Sequence, residues 1–272
     1  VRSFRRAALA LTLVSALQLC AAVIPISHLD QATVKAFDDY VAAYENGDYT
    51  KFQASGKLWV DQQCCNCCGK PGAFDDGKPV VEPRASKDVA SGSIHHFSGS
   101  IRVKGATIEM IRKIMQDYPN YVKYYKGDLG AAKGERQADS TPEDEHYLNN
   151  LLLVQSTLWI SVTYDSHYDV HYRRLDKNRW LVRSASTSFR EQRDPKNAAA
   201  GLYPEGEDHG FLWRSNTYWY ARERDGGLDL QVDSMTLSRQ SPTGFGWWGT
   251  KRTKDAVEKM LRDTKAAIES LK

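Results

Sequence analysis

The sequence predicts an α+β fold: a curved seven-stranded antiparallel sheet wrapped around a long C-terminal helix, with an added helix and loop at the N-terminus. Three observations carry this prediction. Between residues 94 and 239 strand-like segments follow one another at short intervals, several joined by turn chemistry such as Asp176-Lys177-Asn178 and Asp225-Gly226-Gly227. Residues 253–271 are amphipathic at helical spacing, and no other long element is available to cover the apolar face of such a sheet. The 272 residues are 41% hydrophobic, 11% aromatic and 26% charged, a globular composition that is neither disordered nor fibrous.

The chain begins with Arg2, Arg5 and Arg6 ahead of an apolar stretch, Ala7 to Leu19, and the small residues Ala21 and Ala22. Residues 1–22 therefore read as an export signal, which places the protein in the periplasm or outside the cell. A membrane-anchored form is the minority alternative, because Leu17-Gln18-Leu19-Cys20 superficially resembles a lipoprotein signal although Leu19 is bulky. Beyond residue 22 there are 34 basic and 34 acidic side chains. A neutral chain is a poor binder of polyanions, so nucleic acid is not expected as a partner. No later apolar run approaches the ~20 residues of a membrane helix, which excludes a polytopic membrane protein.

Residues 23–92 are expected to form an N-terminal helix and a linker. Val34, Phe37, Val41 and Tyr44 recur at three and four residues within Asp30 to Asn46, and Gly47 is placed to stop the helix. Residues 61–92 are rich in Gly, Pro, Asp and Lys and carry Cys64-Cys65-Asn66-Cys67-Cys68. Four cysteines in five residues can hardly surround one tetrahedral ion, and the turn-forming Gly69-Lys70-Pro71-Gly72 that follows does not activate a thiol. A local disulfide or oxidised loop is the preferred reading, as suits an oxidising compartment.

Residues 93–272 form the main domain. A strand over 94–104 leads through Gly105-Ala106-Thr107 into a helix with an Ile108, Ile111, Ile114, Met115 stripe, stopped by Tyr118-Pro119-Asn120-Tyr121. A short helix or turn over 121–125 precedes strands at 124–130, 146–155, 158–173, 179–191, 211–224 and 228–239. The final helix puts Val257, Met260, Leu261, Thr264, Ala267, Ile268 and Leu271 on one face. A bent sheet closed on a single helix is seldom filled completely by side chains, so an interior pocket is expected.

This order of elements over residues 94–271 resembles the START-like, helix-grip (SRPBCC, polyketide cyclase-like) superfamily. Ile101-Arg102-Val103, Met115-Gln116-Asp117-Tyr118-Pro119-Asn120-Tyr121 and Ser241-Pro242-Thr243-Gly244 carry the resemblance. Leu58-Trp59-Val60-Asp61, Ile94-His95-His96, Asp208 to Arg214 and Pro242 to Trp247 are similar to an exported bacterial branch of it. The cysteine cluster has no counterpart in that pattern. The resemblance implies a central cavity for lipids, sterols or polyketides.

The even positions of strand 158–173, Leu158, Ile160, Val162, Tyr164, Tyr168, Val170 and Tyr172, share one face and are expected to line the cavity, the tyrosine hydroxyls orienting a polar head. Arg214, Asn216, Tyr218 and Tyr220 would continue that lining, Arg214 meeting an internal acid or an anionic ligand. Phe211, Trp213, Thr217 and Trp219 compete for the same side, so the register of that strand stays open. Met260 and Thr264 would contribute from the helix, and Trp247, in Gly244-Phe245-Gly246-Trp247-Trp248-Gly249, from an aromatic gate at the mouth. On the odd face, Asp165, His167, Asp169 and His171 are metal-ligating types, but neighbours two apart stand about 6.6 Å from each other, so a solvated surface and no metal is expected.

No nucleophile elbow, phosphate loop, dinucleotide fingerprint or zinc-protease motif is present, and no cofactor is implied. The reading is an exported protein that binds a hydrophobic or amphipathic small molecule without catalysis. The alternatives are a cyclase- or aromatase-like enzyme using His209, Tyr218 or Arg214, and an envelope-associated interaction protein working through residues 30–92. A lipid-like ligand leaves room for transient membrane contact, and the sequence carries no signal of oligomeric state.

Overall fold

The computed structural model describes residues 24–63, 71–156, 160–240 and 246–272, without the side chains of 62–63, 71–72 and 246–250. The export-signal segment and the cysteine cluster lie outside the described residues. The protein is an α+β structure in which helices from both ends of the chain flank an antiparallel sheet. No helix among the described residues is long and apolar enough to cross a membrane.

After the short strand β1 (Ser27–His28), helix α1 (Gln31–Tyr44) starts at Asp30, whose carboxylate accepts the Thr33 amide at 2.7 Å. The helix does not stop at Gly47. It runs on through a wider π-turn, Glu45–Tyr49, into α2 (Thr50–Ser55), and ends at Gly56, which adopts the left-handed conformation. Tertiary packing explains the difference, because Tyr49 and Phe52 bury their rings against Tyr218 and Tyr220 and outweigh the modest cost of one helical glycine. Two short helices follow, α3 (Trp59–Gln63) and α4 (Pro71–Asp75).

Within the expected linker over 61–92, Val80–Val89 is instead a strand, β2, paired with β3 (Gly92–Lys104). Pro83 and the charged side chains obscure it, yet both suit its position at the edge of the sheet, and the register shifts between Pro83 and Ala85. Among the described residues the sheet has eight strands, against the seven expected.

Helix α5 (Ile108–Gln116) carries the predicted apolar stripe and leads through a short turn to α6 (Tyr121–Tyr124). Strand 124–130 is misplaced in the sequence reading. Tyr124 and Tyr125, strand-favouring by type, belong to the helical turn and its end, and the strand β4 occupies Leu129–Arg136. Its Gly134 faces the Tyr118 ring so closely that a Cβ there would fall 2.1 Å from a ring carbon. Strands β5 (Asp144–Ser156), β6 (Ser161–Arg174) and β7 (Arg179–Glu191) continue as a meander, and β8 (Glu207–Asp208) pairs with β1. Strands β9 (Arg214–Arg224) and β10 (Gly227–Arg239) complete the order β2-β3-β10-β9-β7-β6-β5-β4, every pair antiparallel.

Helix α7 (Gly246–Glu269) begins inside the expected 244–249 gate loop, so Gly246 to Gly249 are helical rather than a loop. Val257, Leu261, Thr264, Ala267 and Ile268 are buried on its inner side, with Met260 half-buried beside them. Gly99 of β3 admits this helix: a Cβ there would lie 2.8 Å from both Leu261 and Val257. Each large aliphatic side chain buried in this layer contributes about 1.5–3 kcal/mol.

Candidate ligand site

The inner face of the sheet, the one that meets α5, α6 and α7, holds Tyr164, Tyr168 and Tyr172 of β6 together with Trp180, Trp219, Leu261 and Ile268 in one apolar cluster. At one end of this layer a cleft of about 540 Å³ opens to solvent. Its floor is Tyr172 and Trp180, stacked with ring centroids 5.7 Å apart and planes 15° from parallel. Trp180 follows the 175–178 turn and pairs with Arg174, so alternation brings it to the same side as Tyr172.

The charged side of α5 builds the rim. Its apolar stripe is buried, which turns Glu109, Arg112 and Gln116 toward the ends of β5 and β6. Arg112 grips Glu145 through Nε at 3.1 Å and Nη2 at 3.0 Å, and Gln116 donates to the same carboxylate at 2.8 Å. Arg174 pairs with Glu109 across the opening. Lys177 completes the rim and makes no ion pair among the described residues.

Below the floor the tyrosines are fixed by their hydroxyls. Those of Tyr172 and Tyr121 donate to the Met115 carbonyl at 2.7 and 2.5 Å, Tyr172 and Tyr118 bond to each other, and Tyr125 lies 3.1 Å from Thr264 Oγ1. Burial raises Tyr118, Tyr121, Tyr168 and Tyr172 well above the ordinary phenol range and pushes Tyr125 up to about 12. All stay neutral near physiological pH, so they act as hydrogen-bonding groups and not as bases.

The expected lining divides between two faces. Tyr164, Tyr168, Tyr172, Met260 and Thr264 belong to the inner layer, and only Tyr172 reaches the cleft. Tyr218 and Tyr220 are on the opposite, outer face, because in β9 the odd residues Trp219 and Ala221 point inward. Aromatic residues alternate on both sides of β9 and both sides are covered, so hydrophobicity alone could not set its register. Tyr218 donates to Glu45 at 2.6 Å, and Tyr220 bonds to Tyr44. Arg214 donates to Glu205 at 3.0 Å, and Asn216 accepts the Ser186 amide at 3.1 Å, so each is engaged locally, away from the cleft. His209 Nδ1 stands 2.6 Å from Glu191. The Trp247 side chain lies outside the described residues.

A second cleft, of about 180 Å³, opens on the outer face above Ser98, Tyr220, Gln231 and Asp233. Asp233 is buried there and accepts from Tyr44 at 2.6 Å and Gln231 at 2.8 Å. Burial alone would raise its carboxyl, but interactions with His96, Ser98 and Tyr44 hold it below the usual range. This volume is small beside the ~300–1,000 Å³ of small-molecule sites. The larger cleft is therefore the candidate site.

No family model matches the sequence, and no curated protein matches it. Among solved structures, a STAR-related lipid transfer protein from Xanthomonas axonopodis is similar at 15% identity and a TM-score of 0.45, over 70% of this chain and 98% of the other. A START superfamily protein from Mycobacterium smegmatis is similar at 14% identity and a TM-score of 0.44, over 65% of this chain and 99% of the other. Human StAR-related lipid transfer protein 5 follows at 10% identity and a TM-score of 0.42, over 70% and 87%. Likeness at this level assigns the chain neither a ligand nor an activity.

Proposed function

We propose that this chain binds an amphipathic small anion, seating a flat apolar body on the Tyr172–Trp180 stack and an acidic end near Lys177 and Arg112. The observation that carries this reading is the aromatic floor beneath a charged rim in a cleft of about 540 Å³. Trp180 and Tyr172 are 1% and 3% exposed, so the apolar contact is made at their edges and the charged rim supplies the larger share of the attraction. A sheet curved about α7 is part of the same proposal. It is supported by the continuity of Tyr172 and Trp180 with Leu261 and Ile268 in one cluster. Binding without catalysis is preferred, since the rim carboxylates Glu109 and Glu145 are engaged by Arg174 and Arg112. We also propose that the protein is exported, on the character of residues 1–22, which N-terminal sequencing of protein recovered outside the cytoplasm would test.

Titration with anilinonaphthalene sulfonate, a flat aromatic anion, tests the site. Saturable fluorescence enhancement is expected, weakened about tenfold in Lys177→Gln and lost in Trp180→Leu, with near-ultraviolet circular dichroism confirming native packing of each variant. Equal binding by wild type and both folded variants would overturn the reading.

A further inference from the structure

The outer face of the β5–β6 hairpin, behind the cleft, brings together residues distant in sequence. His146 of β5 is the direct cross-strand partner of His171 in β6, and their rings stack at 4.5 Å with planes 5° apart. Asp169 lies two residues before His171 and therefore on the same face. Its two oxygens stand 3.1 Å from His146 Nε2 and 3.4 Å from His171 Nε2. One donor atom from each of the three residues lies within 4.8 Å of the others.

The second ring nitrogens are already engaged. His146 Nδ1 is 2.8 Å from Asp139, and His171 Nδ1 is 2.9 Å from Asp144. A carboxylate on Nδ1 fixes the tautomer with its hydrogen there and leaves the Nε2 lone pair facing forward. Both Nε2 atoms then face oxygens of the same carboxylate, and a cation between them would be shared by all three groups once the rings turn out of their parallel stack. Ligands at about 2.0–2.1 Å from a tetrahedral ion are about 3.3 Å apart, close to the two separations observed. A proton on His146 would serve only one of the two contacts, and Arg183 is also 3.5 Å from Asp169 and Arg173 3.2 Å from Asp144. Arg183 has its own partner in Glu45 at 2.7 Å, so an ion can take over its share of Asp169.

We propose that His146, His171 and Asp169 form a site for a divalent transition ion of the Zn²⁺ class, with Asp139 and Asp144 orienting the imidazoles and water filling the remaining position. Two imidazoles and one carboxylate suit such ions, whereas Mg²⁺ and Ca²⁺ prefer an all-oxygen shell. The sequence reading considered strand 158–173 alone, where the spacing is too long; the missing ligand comes from the neighbouring strand.

The test is Zn²⁺ binding by the full chain, with thiols alkylated to silence the four clustered cysteines, measured in competition with a chromophoric chelator. One Zn²⁺ per chain is expected, weakened more than tenfold in His146→Gln and in His171→Gln. Asp139→Asn and Asp144→Asn should each weaken it about 10- to 100-fold, whereas His167→Gln should leave it unchanged. Should a ligand variant fail to fold, Co²⁺ added to the wild-type chain must broaden the His146 and His171 ring signals before any others. Absence of Zn²⁺ binding by the alkylated wild type, unchanged affinity in both folded histidine variants, or broadening centred elsewhere would overturn the proposal.

Discussion

On the inner face of the sheet the buried residues of β3 and β10 include Phe97, Ile101, Val103, Leu228, Leu230 and Val232, with Ser93, His95 and Ser234; on the outer face of the same strands Ile94, Met235 and Leu237 stand with His96, Ser98, Arg102, Asp229, Gln231 and Asp233. The inner layer is joined to α7 by area, a non-directional attraction that tolerates rearrangement around a guest. The outer layer is joined to the N-terminal helices by apolar packing of Phe37, Tyr49 and Phe52 and, in addition, by directional bonds. Asp229 is fully buried between Arg102 at 2.7 Å, Arg222 at 2.9 Å and Arg224 at 2.5 Å, and Arg222 reaches on to Asp61 of α3 at 2.6 Å. Residues 30–63 are therefore part of this sheet's packing.

The most damaging change should be to the directional face. Asp229→Ala leaves three guanidinium groups facing one another and is expected to cost about 4 kcal/mol in denaturant unfolding. Leu261→Ala, on the inner face, should cost about 3 kcal/mol through a cavity under α7. If the second loss greatly exceeded the first, the contrast between the faces would fail.

A pH effect of similar size is expected where β8 meets the outer core. Burial raises Asp208 from the ordinary 3.8 to about 6, and it accepts the Trp213 indole hydrogen at 3.1 Å. A raised carboxyl favours the folded state while protonated, so its contribution is present below about pH 4 and lost as pH rises through about 6. The stability difference between wild type and Asp208→Asn should shift by about 2 kcal/mol between those limits, in favour of the variant at neutral pH. A flat difference across that range would show that Asp208 titrates normally. Tyr172→Phe is the mildest test, at about 1 kcal/mol, because Tyr121 continues to satisfy the Met115 carbonyl.

Much of the fold was legible in the sequence. Alternation located β6, β7 and β10, and helical spacing located α5 and α7, since each of these has a consistent apolar side. Strand β2 escaped because edge strands favour the very proline and charges that argue against a strand. Strand β4 escaped because Gly130, Gly134 and its charged residues are placed by pairing with β5 and by the Tyr118 ring, not by intrinsic preference. Of the site, Tyr172 was identified from parity. Trp180 was readable by carrying that parity through the hairpin turn, whereas Arg112 and Glu145 come together only through tertiary packing.

The central claim concerns the cleft, and the indole signals of Trp180 and Trp213 provide a direct comparison, one residue in the cleft floor and the other pinned on the outer side. In a two-dimensional NMR titration with anilinonaphthalene sulfonate, the account predicts a saturable shift of the Trp180 indole while that of Trp213 stays in place. Movement of Trp213 with Trp180 unmoved, or no saturable movement of either, would contradict it.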